Sequence, residues 1–184
     1  MRRINIFGGP GVGKSTVAAH IFAHLKKVGH NVELVREYIK TWAYLNTPVH
    51  SFDQLYIFAK QLRKEDILLR SGVDYVVSDS PLLLQLAYVK KYSKQGVIAD
   101  LYDELFAISK KFDFHFPPLS IWLDREGIPY HKAGRWESYE DALKMDEAIL
   151  EVMNDGCDHY QRLAAADPEG IVRFTLHHLD DVER

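Results

Sequence analysis

Two rhythms of apolar residues alternate along this chain. Short apolar runs, such as Tyr75-Val76-Val77, are separated by longer stretches in which apolar positions recur every three or four residues. The runs predict strands over residues 3–7, 31–35, 75–77 and 119–123, with a last strand over 171–176. Val17, Ile21, Leu25 and Val28 fall at helical spacing and predict a first helix over 14–28, closed by Gly29. A helical stretch over 37–45 stops before the turn signal Asn46-Thr47-Pro48. Ser51 then reads as the N-cap of a long helix reaching residue 70, with Phe52, Leu55, Ala59, Leu62 and Leu69 on its buried side. Further helices are expected over 81–92, 97–112 and 139–165, with a helical or frayed tail over 179–184. Strands that alternate with helices imply an α/β fold, a three-layer doubly wound parallel sheet of about five strands. No repeat or linker interrupts it, so residues 1–184 are read as a single domain.

The first strand runs directly into Gly8-Gly9-Pro10-Gly11-Val12-Gly13-Lys14-Ser15-Thr16, which fits G-x-x-x-x-G-K-[ST]. Glycines let the backbone curl so that successive amide N–H groups point at phosphate oxygens, and the helix that follows adds the positive end of its dipole. Lys14 is expected to reach the β- and γ-phosphates of ATP, and the Ser15 hydroxyl to help hold Mg²⁺.

In an open parallel sheet, ligands bind at the carboxyl ends of the strands. Asp79 ends the third strand there, as a second expected Mg²⁺ position; its alternative is a cap on the helix near Pro81, which Ser80 could also supply. Glu37, after the second strand, is the candidate general base for an acceptor hydroxyl; the alternative is a solvated carboxylate in a first helical turn. The segment over about 124–137 carries Arg125, Lys132 and Arg135, punctuated by Gly127, Pro129 and Gly134. It reads as a short lid, with Arg135 chosen to neutralise charge in the transition state.

The layout resembles the P-loop nucleoside and nucleotide kinases, including the nicotinamide-riboside-kinase-like group of bacteria and their viruses. Glu37-Tyr38-Ile39-Lys40-Thr41-Trp42 is similar to the deoxynucleoside kinases, whose glutamate after the second strand is the base and whose tryptophan five residues on helps form the substrate pocket. Gln54 and Tyr56 resemble that family's Gln-x-Tyr helix, in which the glutamine reads the nucleobase edge. The run from Ile128 to Arg135 is similar to the lid of the riboside-kinase-like group. This resemblance implies substrate roles for Glu37, Trp42, Gln54 and Tyr56, although Trp42 and Tyr56 are equally readable as core or boundary aromatics. One departure stands out: deoxynucleoside kinases place Glu-Arg-Ser after the third strand, whereas this chain has Asp79-Ser80-Pro81. The arginine that would contact the acceptor is absent there, with Arg36 or Arg63 as substitutes.

Composition narrows the classes. The 184 residues are 47% hydrophobic and 27% charged, with a net charge of −3, which lacks the basic excess of a non-specific nucleic-acid binder. A single cysteine, Cys157, excludes an internal disulfide. No apolar run is long enough to span a membrane, and the immediate first strand leaves no room for a signal peptide, so a cytoplasmic setting is expected. His20 and His24 share a helix face without a third ligand and read as solvated. Lys90, Lys91 and Lys94, with Lys110 and Lys111, fall at helix ends, where they complement the dipole. The stripe Ile98, Leu101, Leu105 and Ile108 is core or a homo-oligomer interface.

The leading expectation is ATP- and Mg²⁺-dependent phosphorylation of a small nucleoside or nucleoside monophosphate. Two readings stand beside it: a kinase acting on a hydroxymethylated base in DNA, and a P-loop ATPase or switch. Serine after Asp79, where motors carry glutamate, weighs against the last.

Overall fold

The computed structural model describes residues 3–50, 52–93 and 101–182. Five strands, β1 (Arg3–Phe7), β2 (Val32–Val35), β3 (Tyr75–Ser78), β4 (Pro118–Asp124) and β5 (Gln161–Ala164), form one sheet in the order β2-β3-β1-β4-β5. Every pairing is parallel, with Asn5 opposite both Ser78 and Ser120. Each connection therefore crosses a sheet face, and helices cover both faces.

Helices α1 (Lys14–Lys27) and α7 (Pro168–Val182) lie on one face. There Val17, Ile21, Leu25, Ile171 and Leu179 pack with Ile4, Ile6, Val77 and Ile121. Helices α3 (Asp53–Arg70), α4 (Leu82–Ser93), α5 (Leu101–His115) and α6 (Tyr139–Gly156) cover the other, where Phe58, Leu86, Leu105 and Ile149 join Phe7, Val76 and Trp122. The period of two in β1 separates Ile4 and Ile6 from Phe7, as a strand buried on both faces requires. The same alternation turns Arg3 toward α3 and α5. There its guanidinium, 1% exposed, bonds Glu65 at 2.9 Å and Asp113 at 2.5 Å.

Four expected strands are present. The fifth is not over 171–176, and the helix expected over 139–165 stops at Gly156. Residues 157–160 break that helix, and Gln161–Ala164 pairs with β4 as an edge strand. Its side chains are mostly exposed, so it carries no apolar run to betray it. Residues 171–176 lie inside α7, where Ile171, Val172, Thr175 and Leu179 are buried at helical spacing. Asp167 caps that helix by accepting the Gly170 N–H at 2.8 Å, and Pro168 occupies its first position.

The stretch expected to be helical over 37–45 is α2 (Lys40–Tyr44) alone. Residues 36–39 stay irregular, and the Glu37 N–H is held by the Asp79 carboxylate at 2.8 Å. Ser51, Lys94, the start of the helix expected at 97 and the end of the 179–184 tail lie outside the described residues. Among the described residues, no helix is long and apolar enough to cross a membrane.

Candidate active site

The phosphate-binding loop leaves β1 and enters α1 through Gly13, whose φ of 101° is left-handed, where a side chain would be strained. Two other glycines are required by close approach. A Cβ on Gly9 would stand 2.3 Å from Asp146 Oδ1 and 2.9 Å from the Ala142 carbonyl oxygen. A Cβ on Gly11, at φ +80°, would stand 2.8 Å from the Tyr130 ring. The loop is thus clasped between α6 and the segment that follows β4.

Asp146 is the centre of that clasp. Its carboxylate accepts the Gly9 N–H at 2.6 Å and two N–H bonds from Arg125, at 2.7 Å and 3.0 Å. Arg125 donates a further bond to the Pro10 carbonyl at 2.9 Å. A forked guanidinium on a carboxylate fixes orientation as well as distance, so α6 sets the pose of residues 9–10.

Lys14 Nζ donates to the carbonyls of Gly8 and Gly9, at 2.7 Å and 2.9 Å, which holds the ammonium over the loop. Enclosure by protein atoms lowers its pKa, and the carboxylates of Glu37, Asp79 and Asp146 oppose that shift.

Beside the loop a cavity of about 210 Å³ opens at the carboxyl ends of β1, β2 and β3. Lys14, Ser15, Glu37, Gln54, Asp79 and Arg135 all line it. Six residues drawn from five separated points of the sequence therefore converge on one space. Asp79, 3% exposed, directly follows β3 and orients the backbone at Glu37 through the bond described above. Glu37 keeps an exposed edge on the cavity while protein atoms close round it. That enclosure raises its pKa, with Asp79 and Glu137 adding to the shift and Lys14 and Lys40 opposing it. A carboxyl so placed is a better proton acceptor than one in open water.

The segment after β4 roofs this space. Tyr130 lies over Gly11 and donates its hydroxyl to the Glu137 carbonyl at 2.7 Å. Arg135 lies 5.7 Å from the Tyr130 ring centre and bonds the His131 carbonyl. On the far side, Gly134 meets the Tyr44 ring of α2 so closely that a Cβ there would clash.

Trp42 and Tyr56, which the resemblance assigned to the substrate pocket, do not line this cavity; Trp136 does. Gln54 lines it and is 3% exposed. Sequence reasoning missed Asp146, assigned no role of their own to the lid residues Tyr130 and Glu137, and missed Gln85 and Tyr88. The last three also line the cavity, and the Gln85 side-chain oxygen is buried without a hydrogen bond. Burial, reinforced by Glu137 and Glu37, holds the Tyr88 hydroxyl well above its ordinary pKa, so it stays protonated as a donor. Two of the lysines noted at helix ends are engaged within the fold: Lys91 pairs with buried Glu137 at 2.9 Å, and Lys110 bonds the Gly156 carbonyl at 2.6 Å.

A family model described as an AAA domain matches residues 3–166. No curated protein matches the chain. Among solved structures, thymidylate kinase from Ehrlichia chaffeensis superposes with a TM-score of 0.64 over 97% of this chain and 98% of that one, at 15% sequence identity. The likeness establishes a shared α/β fold, with the phosphate loop following the first strand in this chain.

Proposed function

This chain belongs to the AAA-domain family, and from that premise we propose that it is an ATP-dependent phosphotransferase acting on a nucleoside or nucleoside monophosphate. One observation carries the reading. The cavity is walled not only by the phosphate loop but also, together with Glu37, by Ile39, Gln54, Leu84, Gln85 and Tyr88. Hydrolysis needs room only for water; a chamber with apolar walls and buried amides suits an organic second substrate with a polar edge.

In this reading residues 1–184 act as one catalytic unit, with residues 124–137 as its lid. Loop amides and Lys14 hold the phosphates of ATP. Ser15 and Asp79 supply the hard oxygen donors that Mg²⁺ favours, and the bound ion would neutralise phosphate oxygens as the group transfers. Phosphates and water complete such a shell, so no dedicated protein cage is needed; among the described residues no three His, Cys, Asp or Glu side chains cluster. The acceptor oxygen attacks the γ-phosphorus and the bond to the ADP oxygen breaks; where the acceptor is a hydroxyl, its proton passes to the Glu37 carboxylate. Arg135, on the roof, approaches the charge that spreads over the transferred group.

The test is a transfer assay with γ-labelled ATP, offering nucleosides, nucleoside monophosphates and modified-base DNA as acceptors. The reading expects label on a small acceptor. Label released only as inorganic phosphate, whatever is offered, would replace it with an ATPase.

A further inference from the structure

One stretch of this protein gathers basic side chains that no carboxylate neutralises. Residues 36–64 carry five basic side chains against two acidic ones, in a chain whose net charge is −3. Among the described residues, Arg36, Lys40, Lys60, Arg63 and Lys64 enter no ion pair. Of the two acids, Asp53 accepts the His50 N–H at 2.8 Å, and Glu37 turns into the cavity.

The same region exposes large apolar side chains. Tyr44 is 64% exposed, Leu45 74%, Phe52 63% and Tyr56 43%. Two of its rings are fixed in place: the Tyr38 and Tyr56 hydroxyls share a hydrogen bond of 2.7 Å, with the rings edge to face at 5.5 Å. Lys60 lies 5.2 Å from the Tyr56 ring centre and Lys64 5.4 Å from that of Tyr38. The face reaches the mouth of the cavity, because Lys40 lines the cavity and Tyr44 abuts Gly134.

We propose that this face binds single-stranded nucleic acid. Cations interleaved with held rings, Tyr56 exposed and Tyr38 half-buried, match a chain in which phosphates alternate with stackable bases. A duplex would engage the cations but leave the rings idle, since its bases are already stacked. A second copy of this chain is disfavoured, because a two-fold contact would set five basic side chains against the same five. The proposal goes beyond the phosphotransferase reading and depends on no step of it.

The experiment is fluorescence anisotropy of a labelled twelve-nucleotide oligothymidylate, its RNA counterpart and a matched duplex, titrated with the full chain from 50 to 200 mM salt. Five phosphate contacts give a slope of log affinity against log salt of about −3.5 for a single strand. Replacing both Lys60 and Lys64 by alanine is expected to reduce that slope to about −2. Tyr38→Leu is expected to weaken binding about tenfold with the slope kept. ATP affinity and the thermal transition of each variant serve as controls for an intact fold.

Absence of single-strand binding at 50 mM salt would overturn the proposal, as would variants that bind like the wild type. Duplex bound as tightly as single strand would reduce the face to a generic polyanion site and refute the base-stacking claim. Sedimentation showing a dimer that Leu45→Ser dissociates would reassign the face to self-association. Binding to anionic phospholipid vesicles, with no binding to oligonucleotide, would reassign it to a membrane.

Discussion

Replacing Asp146 by alanine tests whether α6 holds the phosphate loop in shape. The substitution removes the acceptor of the Gly9 N–H and strands the Arg125 guanidinium, which is 10% exposed. Exposed ion pairs contribute about 0–1 kcal/mol, whereas removing one partner of a fully buried pair costs about 3–5 kcal/mol. An orphaned buried N–H costs about 1–3 kcal/mol more. With Arg125 at 10% and Asp146 at 15%, this pair lies near the buried limit, but water can reach its edge. The expected loss is therefore about 2–4 kcal/mol, or roughly 4–16 °C in the melting midpoint for a domain of this size. Asp146→Asn keeps an oxygen for Gly9 while losing the charge, so it should fall between the two. Denaturant unfolding at unchanged slope measures the stability, and titration with ATP reports the loop: affinity should fall along with stability. An Asp146→Ala protein within 0.5 kcal/mol of wild type, binding ATP equally well, would refute the clasp.

Three further outcomes follow from the same geometry. Gly11→Ala forces a Cβ into both a left-handed backbone and the Tyr130 ring, so ATP affinity should drop; Tyr130→Ala in the same chain should restore only part of it, as measured by calorimetry. Burial raises the Cys157 thiol to about 11, so alkylation at neutral pH should run about ten- to a hundredfold slower than for a free cysteine and recover on unfolding. Asp113 is raised above its ordinary 3.8 by burial, which outweighs the opposing pull of Arg3. The folded protein thus binds that proton more tightly than the unfolded chain, and its contribution to stability is lost as pH rises from 3.8 through the raised value. Denaturation of wild type and Asp113→Asn across acidic pH should show this slope only in the wild type.

The three inner strands, β3, β1 and β4, were legible because a strand covered on both faces reads as a near-continuous apolar run, and β2, at one edge, because Val32, Leu34 and Val35 still make a short one. β5 was not, because an edge strand made of Gln161, Arg162, Leu163 and Ala164 is exposed on most of its residues. The β-branched residues of 171–176 outweighed the better clue, Asp167-Pro168, which marks a helix start. In the site, the phosphate loop, Glu37 and Asp79 could be found because parallel sheets put strand ends in one place. Asp146 could not: it lies 137 residues from the amide it holds, and a lone acid on an amphipathic helix looks solvated. Trp42 and Trp136 show the same limit. The resemblance to the deoxynucleoside kinases pointed to Trp42, but α2 is only five residues long, and the cavity is lined by Trp136 instead.

The most direct test of the central claim is single-turnover transfer by Glu37→Gln with the acceptor that the wild type uses. The variant should bind ATP as the wild type does, while transfer falls about 10²- to 10⁴-fold. The acidic limb of the rate–pH profile, set above the ordinary 4.5 of a glutamate by enclosure of the Glu37 carboxyl, should vanish with it. Wild-type transfer rates in Glu37→Gln, with the acidic limb unchanged, would contradict the account.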